Sequence, residues 1–223
     1  MEDLEKLRFN IRHSAAHIMA EAVMNIFPGT KIGIGPPTSD GFYYDFDCPK
    51  QLSKDDFKDI EREMKRIIKS KRKFTGEEVS RDDAIKRFYG QEYKLEIIKG
   101  IPKNETITIW SHESWEDICK GGHVDNTNNI KAFKLLDVAG AYWKGDEKNK
   151  MLQRVYGTAW ESKEEQKKYL EKLELAAKRD HRKLGASLDL FYFDEFSPAM
   201  PFFLPRGTFI MNKLTNYMRE KYN

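Results

Sequence analysis

The chain has 223 residues, of which 39% are hydrophobic and 13% aromatic, enough for one large domain or a domain plus part of another. Its 39 basic and 36 acidic residues leave a net charge of +3, which by itself does not indicate nucleic-acid binding. The 2 cysteines are too few for a disulfide framework, and no apolar run approaches the ~18–20 residues of a membrane span. The charged N-terminus differs from a signal peptide. These features predict a cytoplasmic protein without a membrane segment.

The first part of the chain predicts a helix followed by a hairpin. Apolar residues recur at three- and four-residue spacing from about Leu4 to Phe27, where a Pro-Gly pair ends the pattern. The segments "KIGIG" (31–35) and "GFYYDFD" (41–47) are typical of strands, and the sequence between them favours a turn. We therefore expect an antiparallel pair after the first helix.

The middle of the chain predicts two capped helices and several strands. Ser53 and Ser80 each precede acidic residues, which favours helices running to about Arg72 and to Gly90. Four further segments are predicted to be strands: 93–98, 106–110, 132–138 and 151–157. Strands around two or three helices predict an α+β domain with a mixed or antiparallel sheet over residues 1–160.

The last part of the chain predicts a linker helix and an incomplete second domain. Ser162 begins a capping-box pattern that favours a helix within 161–185, ended by Gly185. A strand-like segment (188–196) and an amphipathic segment (208–222) follow it. Residues 186–223 are too few to bury a core alone, so we expect them to open a domain that they do not complete.

Two histidines stand four residues apart in the first predicted helix. His13 and His17 would lie on one face with Cβ atoms ~5–6 Å apart, so both could point at one small volume. A packed or surface pair explains this spacing equally well. The pair lacks the glutamate of an H-E-x-x-H metalloprotease, since Ser14 stands at that position.

A second segment, "EDICKGGHVDNT" (116–127), places Cys119 and His123 four residues apart around a Gly-Gly pair. An extended chain would separate them by ~13 Å, too far to share one atom or ion. The glycines permit a turn that brings the thiol and imidazole together. Joined by the two histidines of the first helix, they form either a set of zinc ligands or a set that activates water and shuttles protons. The structural alternative is that Cys119 is a small buried residue beside a turn.

Five stretches together resemble the editing domain of threonyl-tRNA synthetases, and they lie at 12–23, 31–47, 116–127, 135–160 and 176–185. The first and third stretches would also suit alanyl-tRNA editing proteins, which share this domain type. The fourth and fifth favour the threonyl branch. Residues after Gly185 resemble the start of the class II catalytic domain, and 205–222 resembles its motif 1 helix, which lies at the dimer interface in that family.

The resemblance implies a proofreading site that hydrolyses mischarged seryl-tRNA(Thr). His13, His17, Cys119 and His123 would activate water and transfer protons, with zinc as a candidate cofactor on the same four residues. Tyr44 and Lys94 would contact the terminal adenosine or the ester, and Asp117 would hold the serine moiety. Without the resemblance these three are better explained as a core tyrosine, a strand-edge lysine and a turn aspartate.

The resemblance also carries expectations for the whole synthetase. Threonine attachment would use ATP and Mg, whose binding motifs would lie beyond Asn223, so we expect no aminoacyl-adenylate from this chain. The partners would be the 3′ end of tRNA(Thr) and a second subunit bound through the class II core. Two departures are an N-terminal domain that is usual in bacterial members and missing here, and Gly122, where the family commonly has proline.

Two alternatives remain open from the sequence. The chain could be a zinc-stabilised tRNA-binding module without turnover, or an alanyl-type editing protein. Basic clusters at 65–73 and 178–183 could meet tRNA phosphates, but interleaved acidic residues favour a solvated helix face.

Overall fold

The structure is a computed structural model that describes residues 2–222. The chain divides into two compact units, of which the first ends at Gln166 and the second begins at Lys167. Every strand pairing within residues 2–222 is antiparallel, and seven α-helices accompany the strands. The predicted α+β class is confirmed. The assignment of 1–160 as an editing domain stays a prediction.

Four helices of the first unit bury residues in its core regions. They are α1 (Glu2–Ile26), α2 (Phe57–Lys69), α3 (Arg81–Arg87) and α4 (Glu92–Gly100). The predicted caps place two of these helices: the side chain of Asp56 accepts from the backbone N–H of Ser53 at 2.9 Å, and Ser80 Oγ accepts from the N–H of Asp83 at 3.1 Å. Gly90, with φ of 86°, then turns the chain after α3.

Seven strands of the first unit form two sheets. They are β1 (Lys31–Ile32), β2 (Phe42–Asp47), β3 (Phe74–Val79), β4 (Ile107–His112), β5 (Trp115–Ile118), β6 (Ala132–Tyr142) and β7 (Met151–Trp160). One sheet has the order β1-β2-β7-β6 and the other β3-β4-β5. The predicted pairing of the first two strands is confirmed, although β1 contains only two residues. Strand β3 was missed because its exposed Glu-Glu pair hides the alternation that marks a strand.

The main core joins α1, α2 and the four-stranded sheet. Its fully buried side chains include Ile18 on α1, Ile60 and Met64 on α2, and Phe46 and Val155 on β2 and β7. Burial of this apolar surface fixes α1 from Ile11 to Val23. The helix that carries the paired histidines is therefore a central element of the core.

The segment 93–98 was predicted to be a strand, and this prediction is wrong. It forms most of α4, which buries Tyr93, Lys94 and Ile98. A short apolar run with two isoleucines fits both the helical and the strand period of apolar residues, and here tertiary packing favours the helix. The correction moves Lys94 from a sheet edge to a buried helix face.

The second unit contains the last helices and a small hairpin. The elements from residue 163 onward are α5 (Lys163–Lys178), α6 (His181–Ser187), β8 (Phe191–Phe193), β9 (Pro201–Phe203) and α7 (Pro205–Tyr222). The single helix predicted to end at Gly185 is wrong, because Asp180 caps a new helix by accepting from the N–H of Arg182 at 2.9 Å. Gly185 lies inside α6, where a Cβ would come within 2.3 Å of the Phe191 ring.

No helix within residues 2–222 has the length and apolar content that crossing a bilayer requires.

The α1–α2 packing predicts a large stability loss when Ile60 becomes alanine. Ile60 has no exposed surface, so Ile60→Ala should lower the free energy of unfolding by about 2–5 kcal/mol through lost burial and a residual cavity. Urea unfolding can be followed by tryptophan fluorescence, since all 4 tryptophans lie before residue 167 and report on the first unit. Lys58→Ala, on the exposed face of α2, is the control and should change stability by less than about 0.5 kcal/mol. Equal effects of the two substitutions would contradict this packing.

Candidate functional site

Helix α1 places the two histidines one turn apart. The ring centroids of His13 and His17 are 4.8 Å apart, and the rings meet edge to face. Both side chains are buried, His17 almost completely. Both imidazoles thus face one small volume, as predicted from their spacing. This volume lies where α1 faces the segment that follows β5.

Two consecutive glycines turn the chain after β5. Gly121 and Gly122 have φ of 89° and 88°, a region that side chains other than glycine rarely adopt. The turn brings Cys119 Sγ within 3.1 Å of His123 Nε2, in place of the ~13 Å of an extended chain. A proline, whose ring fixes φ near −65°, could not adopt the backbone found at Gly122.

The four predicted residues converge on one point. One ligand atom from each of His13, His17, Cys119 and His123 lies within 4.8 Å of every other. Three imidazole nitrogens and one sulfur are a donor set that suits zinc. The Nδ1 atoms of His13 and His17 are buried and have no hydrogen-bond partner among residues 2–222, so both nitrogens are available to a ligand. The residues present therefore fit a zinc ion.

Burial keeps the three imidazoles neutral. Desolvation lowers the pKa of His13 and lowers that of His17 well below its usual value, because a charged imidazolium loses hydration there. Desolvation also lowers the pKa of His123 to about 2, and the neighbouring histidines add to the effect. A neutral imidazole can bind a metal or accept a proton, so both proposed roles are open at neutral pH.

The cysteine is held as a thiol. Burial raises the pKa of Cys119 to about 12, and the nearby Asp117 carboxylate contributes to the rise. A thiol with this pKa is a poor nucleophile at neutral pH, which disfavours covalent catalysis by Cys119. A bound metal would reverse this by stabilising the thiolate.

A buried ion pair adjoins the cluster. Lys94 of α4 and Asp117 of β5 are each 2% exposed, and the Lys94 ammonium contacts Asp117 Oδ1 directly. Tyr44 of β2 donates to Asp117 Oδ2 at 2.5 Å and accepts from Lys94 at 3.0 Å. Burial and the Asp117 charge raise the pKa of Tyr44 well above its usual value, so the phenol stays protonated. His17 Nε2 lies 3.7 Å from Asp117 Oδ2, which links this group to the four-residue cluster.

A cavity of about 380 Å³ gives access to both groups. Its lining includes His13, His17 and Cys119 from the cluster, together with Lys94 and Asp117. Phe9, which is 47% exposed, and the segment 34–37 form part of the same wall. The structure thus brings all seven sequence-predicted site residues together, because Tyr44 touches the ion pair that lines the cavity.

Sequence reasoning missed two polar contacts behind the cluster. Ser14 Oγ lies 3.2 Å from His123 Nδ1. The one sequence signal for this contact is the position of Ser14 between the paired histidines. His112 is fully buried, and its Nε2 lies 2.7 Å from Glu21 Oε2, which also pairs with Arg72. No spacing signal links Glu21 to His112, since the two are brought together only by packing of α1 against β4.

Four basic side chains of the two clusters are paired with acidic groups within the chain. Arg66 pairs with Glu63, and Arg72 pairs with Glu21 and Glu113. Further along the chain, Lys178 and Arg182 pair with acidic neighbours on the same or the adjoining helix. These pairs favour the solvated-face interpretation over a phosphate-binding surface.

The chain is similar to one protein family and to several proteins of known name. Residues 107–156 match the family described as the threonyl and alanyl tRNA synthetase second additional domain. The chain is 47% identical to the threonine–tRNA ligase of Borrelia duttonii (strain Ly), over 99% of this chain and 38% of that protein. It is 50% identical to the corresponding ligase of Carboxydothermus hydrogenoformans, over 95% of this chain and 34% of that protein.

A third relative, the threonine–tRNA ligase of Fusobacterium nucleatum subsp. nucleatum, is 46% identical over 95% of this chain and 35% of its own length. The chain therefore spans 34–38% of the length of these three curated relatives. The family match covers β5, which carries Asp117, and the segment after it, which carries Cys119 and His123; the similarity to the ligases extends over nearly all of the chain. Over nearly all of its length the chain is thus similar to one segment of threonyl-tRNA synthetases, a segment that contains the second additional domain.

Proposed function

We propose that this chain carries a proofreading site that hydrolyses the ester of mischarged seryl-tRNA(Thr). The observation that carries the proposal is the 380 Å³ cavity, which three of the four cluster residues line together with a buried lysine–aspartate pair. Neutral imidazoles beside an accessible cavity suit water activation. The relatives, which are named threonine–tRNA ligases, supply the substrate class.

The need for such a site follows from the size of serine. Serine lacks one methyl group of threonine, and one methyl contributes only ~1–3 kcal/mol to discrimination in a charging site. A second site that hydrolyses the smaller product raises the accuracy, provided that the correct threonyl ester is excluded by its extra methyl. Steric exclusion is the stronger sieve, since a clash rejects a larger ligand more strongly than a gap rejects a smaller one.

The reaction requires one water and one proton carrier. The water oxygen attacks the ester carbonyl carbon while a neutral imidazole of the cluster accepts a water proton. The bond from the carbonyl carbon to the ribose oxygen then breaks, and the imidazolium returns the proton to that oxygen. The products are serine and a free 3′ ribose hydroxyl, and the protein ends in its starting protonation state.

The buried ion pair supplies the groups that position the substrate. The serine ammonium would take a place at Asp117, where it would compete with Lys94 for the carboxylate. Lys94 would then be free to approach the ester carbonyl or the adenosine. Tyr44 would move with Lys94, because the Tyr44 hydroxyl is hydrogen-bonded to both Lys94 and Asp117. Asp117 would thus pair with the serine ammonium, and Lys94 would keep a hydrogen-bond acceptor at the ester carbonyl or the adenosine.

Zinc is a candidate cofactor of the same cluster. His13, His17, Cys119 and His123 would hold it, and a bound zinc would lower the pKa of a coordinated water or polarise the ester carbonyl. Coordination by all four residues would close the shell of the zinc and favour the zinc-stabilised tRNA-binding module, whereas coordination by three would leave a position for water and favour hydrolysis.

The rest of the proposal concerns the longer protein. Residues 161–185 would be a linker, here divided between α5 and α6, and 186–223 would begin a class II aminoacylation domain with α7 as its motif 1 helix. Threonine attachment with ATP and Mg, contact with the 3′ end of tRNA(Thr), dimer formation through the class II core and a cytoplasmic location belong to the same proposal.

The proposed chemistry predicts that single substitutions in the cluster abolish hydrolysis without unfolding the chain. His13→Ala and Cys119→Ala should each lower the rate of seryl-tRNA(Thr) deacylation by about 10²–10⁴-fold, because each removes a group that handles the water or its proton. His181→Ala is the matched control, since His181 is exposed on α6, and it should keep the full rate. Near-normal hydrolysis by a folded His13→Ala, Cys119→Ala double variant would contradict the assignment.

The size argument predicts selectivity between two charged tRNAs. The chain should deacylate seryl-tRNA(Thr) about 10- to 200-fold faster than threonyl-tRNA(Thr), the range that one methyl group provides. Both rates are measured side by side, and the His13→Ala variant gives the uncatalysed background for each ester. Equal rates would identify a general esterase and not a proofreading site.

The packed core predicts that metal removal leaves the first unit folded. Phe74, Trp115 and Val124 join the main core close to the cluster, so burial holds this region without a metal. Treatment with a chelator, checked by metal analysis, should shift the melting temperature seen by tryptophan fluorescence by less than about 3 °C. Unfolding on chelation would favour the structural zinc module instead.

A further inference from the structure

Ser14 lies on α1 between the two histidines of the site, and the proposed reaction gives it no role. Its side chain is fully buried. Its Oγ accepts a hydrogen bond from the backbone N–H of Val124 at 3.0 Å and lies 3.2 Å from Nδ1 of His123. Ser14 therefore ties α1 to two consecutive residues just after the glycine turn.

The proton positions in this group follow from counting donors. A hydroxyl has one proton and two lone pairs, and a backbone N–H can only donate, so Val124 occupies a lone pair of Ser14. In the part of the chain that the structure describes, Nδ1 of His123 is the other atom hydrogen-bonded to this oxygen. If Nδ1 carried the proton, it would donate to the second lone pair and leave the serine proton without an acceptor in the core, so the favoured arrangement has the hydroxyl donating to Nδ1. A neutral imidazole has a single N–H, and for His123 this places it on Nε2.

Ring contacts restrict the orientation of His123. Its ring stacks on Phe74 with a centroid distance of 4.9 Å and an interplanar angle of 1°, and on His13 with 4.2 Å and 25°. In this orientation Nε2 lies 3.1 Å from Cys119 Sγ. The N–H on Nε2 therefore donates to the cysteine sulfur, at the edge of the cavity that Cys119 lines.

We propose that Ser14 is a positioning residue that holds His123 as the Nε2–H tautomer, so that His123 serves as a hydrogen-bond donor and not as the base. The effect on catalysis rests on the proposed hydrolysis, in which this N–H holds the Cys119 sulfur at the wall of the cavity that would receive the ester. Proton acceptance from water then falls to His13 or His17, whose Nδ1 atoms lack a hydrogen-bond partner among the described residues.

The same bond has a consequence for metal binding. A protonated Nε2 has no lone pair for a metal, so coordination through this atom requires the proton to move to Nδ1. The hydrogen bond to Ser14 would then reverse, and the serine proton would lose its acceptor inside the core. Zinc binding through Nε2 of His123 therefore requires the hydrogen bond between Ser14 and Nδ1 to reverse.

The tautomer can be measured directly. The metal-stripped chain, labelled with ¹⁵N-histidine, is examined by long-range ¹H–¹⁵N correlation at neutral pH without substrate, and the His123 signals are assigned with a His123→Gln variant. We expect a protonated Nε2 and an unprotonated Nδ1. A predominant Nδ1–H form in the wild-type chain would overturn the proposal, whether or not any variant folds.

Substitutions at residue 14 test whether Ser14 determines the tautomer of His123. Ser14→Ala should allow both tautomers of His123 and lower kcat for seryl-tRNA(Thr) hydrolysis by about 10- to 100-fold, with little change in KM. Ser14→Thr keeps the hydroxyl and should restore the wild-type tautomer and rate. A Ser14→Ala variant with the wild-type tautomer and rate would refute the role of Ser14. A wild-type chain that shows the Nε2–H form but hydrolyses no ester would refute the proposed function and leave the tautomer assignment intact.

Discussion

The buried pair of Lys94 and Asp117 is the interaction on which the arrangement of the site depends. Both side chains are 2% exposed, and removing either partner of such a pair typically costs about 3–5 kcal/mol because a charge is left without a partner. The pair joins α4 to β5, and Tyr44 extends it to β2 through two hydrogen bonds. Three elements from distant parts of the chain are therefore held at one wall of the cavity by a single charge constraint.

Desolvation is the largest influence on the pKa values of the cluster, and the Lys94–Asp117 pair adds smaller, opposing effects. Asp117 is close enough to raise the pKa of His13 and Cys119, whereas the Lys94 ammonium lowers the pKa of His13 and His17. Because the two charges oppose each other, desolvation remains the largest influence on the pKa of each of these three groups. The outcome is a set of neutral imidazoles and a neutral thiol beside a paired carboxylate, which is the protonation state that proton transfer from water requires.

The sequence predicted the chemically active residues of the site better than the elements and contacts that hold them in place. The four-residue spacings of His13 with His17 and of Cys119 with His123 carry local information, since a helix turn and a glycine turn each determine which side chains meet. Lys94 was placed on a strand because a six-residue apolar run has no unambiguous period, and only packing against Tyr44 and Asp117 decides the matter. The break at Asp180 and the Glu21–His112 contact likewise depend on neighbours that are remote in the sequence or on competing caps, and no spacing rule reports them.

The glycine turn and the serine of α1 act on the same imidazole. Gly121 and Gly122, both with positive φ, direct the chain so that Val124 N–H and His123 Nδ1 meet the hydroxyl of Ser14 together. A residue restricted to negative φ at 122 would re-aim both groups, because the backbone of residue 122 sets the direction of the next two residues. The loop that contains Gly122 is thus the loop whose geometry brings His123 Nδ1 to the Ser14 hydroxyl. Backbone freedom at one glycine and a buried hydroxyl on a rigid helix together determine whether this histidine donates a hydrogen bond, accepts a proton or binds a metal.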